Sequence, residues 1–319
     1  MKKFKKKKQL IVVASIFGFI SLLFFFPFLF KQMDHKTEAT SEKEEGESFA
    51  NACELTIQVS GSDEPIDLEE YVIGVVSAEM PANFHPEALK AQAIAARTYV
   101  LKNTEYGKKA IEPTVAKQVF YDSNTRKEVW AESFDDYEKK VRQAVESTKG
   151  EVINYNGELI TAMFHSMSNG MTESSKNYSG TDLPYLQSVA STDFQYADNY
   201  EVEKSFTMNE WNQLLNTNLT LNQLKNVRIK RNNTGRVETV IVGKNEWSGR
   251  DMRTLLDLRS TDFRIEVKGE KIVVTTEGYG HGVGMSQYGA DAMAENGATA
   301  HEIIQHYYKN TNIEKISCK

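Results

Sequence analysis

The first 31 residues contain no acidic side chain, and Leu10 to Phe30 contain no charge of either sign. Twenty-one uncharged residues are enough to cross a bilayer core. Six lysines crowd the first eight residues, and an acidic stretch follows the run, which predicts a cytoplasmic N-terminus with everything beyond Lys31 outside. No small-x-small site follows the apolar run, so an uncleaved anchor is expected over 9–30 rather than a cleaved signal peptide. The rest of the chain lacks a general basic footprint. Removing the seven lysines of the first 31 residues leaves 31 basic against 44 acidic side chains, a net charge of −13, which excludes nucleic acid as a partner. Cysteine is scarce as well: Cys53 and Cys318 are the only two, one at each end of the region expected to fold. A disulfide in an oxidising compartment and two separate thiols both stand open on sequence grounds.

Residues 1–8 read as a basic tail and 31–54 as an acidic stalk too polar to bury a core, "MDHKTEATSEKEEGESFA" being its centre. That leaves 55–319, enough for one large domain or two small ones. There is no internal repeat. Runs rich in β-formers occur at 55–59, 150–165, 227–243 and 262–276, several of them hairpins by their turns. Helical periodicity covers 67–80, 86–103, 134–149, 208–215, 249–257, 286–296 and 299–308, with Gly150 and Gly297 as the residues just past helix ends. Strands and helices cluster without strict alternation, which predicts an α+β fold of mixed sheets and helices. Residues 195–260 are set apart as an inserted lobe, giving the exported region a two-lobed form.

Three common signatures are missing. The glycine-dense "GYGHGVGMSQYGA" (278–290) has no Gly-Lys-Ser/Thr and no GxGxxG register, so it is neither a Walker loop nor a dinucleotide fingerprint. In "HEIIQH" His301 and His306 are five apart, about 140° round a helix, so they cannot share a metal as the HExxH histidines do.

What is present is a carboxylate in an unusual place. In "IDLEEYVIGVVSAEMP", Asp67 caps a helix whose stripe is Leu68, Val72, Val75, Val76 and Met80, and Pro81 ends it. Glu79 then falls in the last turn, where exposed carbonyls disfavour a negative charge and raise its pKa. A proton-holding acid fits that position. Pro86 opens the alanine-rich helix that follows, with Leu89, Ala93, Ala96 and Val100 on one face and Lys90, Gln92 and Arg97 elsewhere, able to reach toward Glu79 or a ligand. "FHSMSNGMTES" (164–174) gathers His165, Ser166, Ser168, Asn169, Thr172 and Glu173, a set suited to a sugar or, equally, to a polar turn. In the glycine-dense block His281 can hydrogen-bond inside a pocket, and glycine lets backbone approach a ligand.

Together "EEYVIGVVSAEMP", "EALKAQAIAARTY", "FHSMSNGMTE", "LPYLQSV", "RTLLDLRSTDF", "GYGHGVGMSQYGA" and "HEIIQHYY" resemble, in that order and over nearly all of 55–310, the stage II sporulation protein D family, membrane-anchored lytic transglycosylases with an amidase-enhancer branch. The resemblance implies cleavage of peptidoglycan glycan strands stripped of stem peptides during engulfment in endospore formation, in a glycan cleft, with a cell-wall amidase and a membrane protein of the engulfment machinery as partners. By position it makes Glu79 the catalytic acid, and Lys90, Arg97 and Tyr185 functional residues. With the polar blocks, the expected substrate-binding set is Lys90, Arg97, His165, Ser168, Thr172, Tyr185, His281, Ser286 and Gln287. Gln187 stands where some members carry a lysine. Residues 166–176 contain no cysteine, where some relatives bind zinc through cysteines. No metal or other cofactor is expected. One acid suffices if the 6-hydroxyl of muramic acid attacks the sugar carbon and leaves a 1,6-anhydro end. A hydrolytic glycosidase would add Glu173 or Glu277 as a second carboxylate, and a non-catalytic glycan-binding enhancer of an amidase would need no acid.

Overall fold

The computed structural model describes residues 55–191, 197 and 199–316. The expected anchor, the stalk, and Cys53 and Cys318 lie outside the described residues. No helix among the described residues is long and apolar enough to cross a membrane.

The fold is α+β, with short sheets set among helices. The Leu68–Glu79 helix begins where expected: the Asp67 carboxylate accepts from the Glu69 and Glu70 amides, and both acids favour the positive end of the helix dipole. The next helix, Pro86–Asn103, is the centre of the structure. Leu89, Ala93, Ala96 and Val100 are buried, but so are Ala88, Ala91, Ile94, Ala95, Thr98 and Leu101, so it is enclosed on every side. Alanine makes this possible by letting the Leu68–Glu79, Phe134–Ser147, Gln287–Glu295 and Ala300–Tyr307 helices and the Glu151–Tyr155 strand all approach closely.

Glu151–Tyr155 is the middle of a three-stranded antiparallel sheet, flanked by Asn312–Lys315 and Glu158–Leu159. A second sheet places Lys271–Glu277 between Asp262–Lys268 and Glu201–Phe206, and a third places Val237–Val242 between Arg228–Arg231 and Asn245–Ser248. Buried apolar side chains form two clusters. The larger surrounds the central helix, and the smaller gathers Phe206, Trp211, Leu215, Val240, Met252, Phe263 and Val274. The second draws on residues 206–274, reaching past the segment expected as an insertion. Polar ties join the two: Asn169 Nδ2 donates to the Asp262 carboxylate at 2.7 Å, and Asn232 Nδ2 to the Glu173 carboxylate at 2.6 Å.

Helices at Ser123–Trp130, Ser175–Ser179 and Leu221–Leu224 go beyond the sequence expectation; each is short and polar, so periodicity carries little signal. Gly297 follows the Asn296 cap with φ +91°, as expected. Gly150 also has positive φ but lies beyond the Thr148 cap, in the turn leading to the Glu151 strand.

Candidate active site

Glu79 is the last residue of its helix, and Met80 turns the chain into extended conformation before Pro81. The Glu79 side chain is half-buried, and its Oε1 accepts the Val119 amide at 2.8 Å. Burial pushes the Glu79 carboxyl above its ordinary value, while the single amide bond pulls the other way without cancelling it. Tyr71 and Tyr99 flank it. Burial raises both phenols, and the nearby Glu79 charge adds to the effect.

The strap that supplies the Val119 amide is built from 118–121. Tyr71 donates from its hydroxyl to Gln118 Oε1 at 3.2 Å, and Gln118 Nε2 donates to the Ala96 carbonyl at 3.2 Å. Phe120 stacks on Tyr71 with ring centroids 5.3 Å apart, and the Tyr121 amide donates to the Gly74 carbonyl. A methyl group at Gly74 would stand 2.2 Å from the Phe120 ring and 2.6 Å from the Tyr121 carbonyl. Glycine inside that helix is therefore the signal for the strap, one that sequence reasoning left unused.

Several expected substrate contacts are placed elsewhere. Arg97 is fully buried, and its guanidinium is bidentate to Glu69, with Nη2 to Oε2 at 2.6 Å and Nε to Oε1 at 3.0 Å. Its remaining donors go to the Glu151 and Val145 carbonyls. It ties the first helix to the central sheet rather than lining a cleft. Lys90 is partly exposed and pairs with Glu87 at 2.7 Å, whose other oxygen takes the Ala300 amide. Tyr185 is buried: its ring lies 5.6 Å from that of Tyr155, and its hydroxyl accepts the Thr161 amide at 3.1 Å.

The two polar blocks do meet. Phe164–His165 pairs in parallel with Met285–Ser286, bringing the hydroxyl-rich segment against the glycine-dense one. Gly284 makes room, since a methyl group there would be 1.9 Å from the Met163 carbonyl. The hydroxyls themselves act as internal ties. Ser286 caps the Gln287–Glu295 helix and donates to the Ser166 carbonyl, Ser168 donates to the Ser191 carbonyl, and Thr172 accepts the Val189 amide. All three are fully buried, and Gln287, also buried, approaches Gln92 at 3.5 Å. Glu173 is locked by four hydrogen bonds, from the Ser174 amide, Asn177, Asn232 and Thr234. Glu277 contacts Arg264 and Tyr200.

His165 and His281 form a pair, ring centroids 5.8 Å apart. His281 Nδ1 accepts the Val283 amide at 3.0 Å, and its ring also hydrogen-bonds the Phe164 backbone. Burial, with Arg253, Arg236 and Arg250 adding to it, pushes His281 down to about 4. His165 Nδ1 contacts the Val283 carbonyl at 3.2 Å. Burial, then the neighbouring His281 and Arg236, holds His165 well below the ordinary range. Both rings are neutral at neutral pH. On the last helix His301 pairs with Glu151 and His306 with the Ala190 carbonyl, two partners on different sides.

The site is thus a desolvated acid at a helix end of an α+β domain, with the glycine-dense segment packed on the hydroxyl-rich one. The family model described as Stage II sporulation protein matches residues 61–155, the stretch that contains Glu79, Lys90 and Arg97. The chain is 39% identical to Stage II sporulation protein D of Bacillus subtilis (strain 168) over 288 residues, 87% of this chain and 84% of that protein. It is 36% identical to the protein of that name from Bacillus amyloliquefaciens over 297 residues, 89% of this chain and 86% of the other. The chain belongs to the stage II sporulation protein D family. It is also similar to the amidase enhancer of Bacillus subtilis (strain 168), 29% identical over 298 residues that span 75% of this chain and 40% of that protein.

Proposed function

We propose that this protein is a sporulation lytic transglycosylase that cuts peptidoglycan glycan strands stripped of stem peptides, with Glu79 as its single acid. The observation that carries the reading is the Glu79 carboxyl: half-buried, held by one backbone amide, and pushed up by desolvation, so that it keeps a proton where surface carboxylates have lost theirs. Protonated Glu79 gives its proton to the glycosidic oxygen as the bond from that oxygen to the sugar carbon breaks. The resulting carboxylate takes the proton of the muramic acid 6-hydroxyl as that oxygen bonds to the same carbon. No water is consumed, the acid is regenerated, and the product ends in a 1,6-anhydro sugar. The tethered hydroxyl supplies the proximity that a second carboxylate and a water would otherwise provide. Glu173 is poorly suited to be that second carboxylate, since both its oxygens are committed to internal hydrogen bonds.

The uncharged run at 10–30 supports a single-pass anchor with the catalytic domain outside the cytoplasmic membrane, and the family name supports a role in sporulation. A cell-wall amidase that exposes bare glycan and a membrane protein of engulfment are the partners that go with this reading. The alignment with an amidase enhancer favours a second reading, binding of glycan to stimulate a separate amidase. One experiment separates them. Full-length protein is incubated with peptide-free glycan and the products are weighed: a transglycosylase gives anhydro ends, one water lighter than hydrolysis. Glu79→Gln should lower cleavage at least about a hundredfold with binding intact. Near-normal turnover in that variant would refute the assignment, and undiminished amidase stimulation without cleavage would favour the enhancer.

A further inference from the structure

Around the histidine pair lies a group of arginines that the single-acid chemistry leaves unused. The Arg250 guanidinium lies 4.3 Å over the Tyr178 ring and donates to the Tyr178 carbonyl at 2.8 Å. The Arg259 guanidinium lies 4.4 Å over the Tyr279 ring and donates to the Asn199 carbonyl at 2.7 Å. Arg253, from the same Gly249–Leu255 helix as Arg250, donates to the Leu258 carbonyl and is close enough to both tyrosines for their fields to reach it. Tyr178 in turn lies 5.5 Å from His281. Tyr279 and His281 belong to the glycine-dense segment itself, and Gly282 presses its bare backbone against the Arg236 guanidinium, where a methyl group would stand 2.6 Å away.

Charge is what makes the group unusual. Among the described residues no carboxylate lies within 4 Å of a guanidinium nitrogen of Arg250, Arg253 or Arg259, although elsewhere arginines pair with acids, as Arg97 does with Glu69, Arg126 with Glu138 and Arg231 with Asp262. Their protein partners are neutral carbonyls and aromatic faces, which leave guanidinium donors for a ligand. An independent observation points the same way. His165 is 4% exposed, beside His281, and its Nε2 has no hydrogen-bond partner. The Val283 carbonyl takes the Nδ1 proton, so Nε2 is a lone-pair acceptor, and a hydroxyl of a bound sugar would satisfy it by donating to it.

We propose that Arg250, Arg253 and Arg259, with Tyr178 and Tyr279, form a subsite for a carboxylate carried by an acidic sugar of the glycan. Guanidinium groups held flat by aromatic stacking present the planar fork that matches a carboxylate, and the 47% exposed Tyr279 ring offers a face for the apolar side of a sugar. A polymer with one carboxylate per repeat and apolar sugar faces fits such mixed lining better than a densely charged chain. The inference deepens the glycan reading above and rests on it. In peptidoglycan the muramic acid carboxylate is free only where no stem peptide is joined to it by an amide. The subsite therefore reads the presence of the charge, and with it the absence of the peptide.

The test compares one glycan oligosaccharide in two forms, muramic acid carboxylates free or converted to primary amides, by titration calorimetry with the full-length Glu79→Gln protein, so that cleavage does not interfere. The free acid should bind about tenfold more tightly at low salt, the preference shrinking as salt screens it. Arg250→Gln together with Arg259→Gln should reduce the preference toward unity by weakening the free-acid form more than the amide form. Equal binding of the two forms by the parent protein, a readout that needs no arginine variant to fold, would overturn the proposal. So would saturable binding of a polyol-phosphate polymer in preference to the acidic glycan. If the preference holds but the wild-type protein makes no anhydro ends, the transglycosylase reading fails and the subsite stands.

Discussion

Replacing Arg97 with alanine would remove a fully buried guanidinium and leave the Glu69 carboxylate, whose side chain is 14% exposed, without its bidentate partner. The Glu151 and Val145 carbonyls lose a donor at the same time. Breaking a buried pair from one side costs about 3–5 kcal/mol, because a charge is left in a poorly solvated place. In a domain of this size each kcal/mol moves the melting temperature by about 2–4 °C, so Arg97→Ala should lower Tm by about 6–20 °C. Glu69→Gln should fall in the same direction. Combining Arg97→Ala with Glu69→Gln should cost less than the two single changes added, the signature of direct coupling. Calorimetry or circular dichroism of the full-length protein measures all three variants against the parent. A loss below about 2 °C for Arg97→Ala, accompanied by loss of glycan cleavage, would refute the structural assignment and return Arg97 to the substrate.

Glu79→Gln should stabilise the protein while disabling it. The raised carboxyl binds its proton more tightly when folded than when unfolded, so its charged form opposes folding above the raised value and costs nothing below the ordinary 4.5. The gain in Tm from glutamine should therefore be largest near pH 8 and vanish as pH falls toward 4.5; a gain independent of pH would contradict the assigned desolvation. Gly284→Ala should destabilise by more than about 2 kcal/mol, since the added methyl meets backbone at 1.9 Å and the residue has φ +74°, an arrangement that neighbours cannot relieve by changing a rotamer. Urea denaturation checks it, and an unchanged midpoint would mean that the parallel pairing beside it is adjustable.

The helices that carry Glu79 and the central alanines were legible because their signals are local: Asp67 and Pro81 bound one, and Pro86 opens the other. Glu79 at a helix end follows from those signals alone. The roles of Arg97 and Tyr185 were not legible, because both depend on distant partners, Arg97 on Glu151 and Val145 and Tyr185 on Tyr155 and Thr161. A charged residue on an alanine-rich helix looks like a surface group until the helix is seen enclosed on every side. The same holds for Ser168, Thr172 and Ser286, whose hydroxyls suit a sugar in the abstract and are used up by backbone in the fold. The arginines of the cluster lie close together in the sequence, at 250, 253 and 259, but that spacing does not show that they meet Tyr178 and Tyr279, which come from distant parts of the chain.

The turn after Glu79 is pinned from far along the chain. The His85 amide donates to Asp291, 206 residues away, and Glu87 accepts the amide of Ala300, 213 residues away. Phe84 meets the Tyr288 ring edge-on in the same place. The acid's own neighbours, Tyr71, Tyr99 and the Val119 amide, are close to it in the chain, whereas the turn that follows it is held only once the Gln287–Glu295 and Ala300–Tyr307 helices are in place. Ordering of that turn carries the loop-closure cost of contacts more than 200 residues apart, the kind that forms slowly, so a chain without its last two helices would keep the acid on its helix with the turn beside it unpinned.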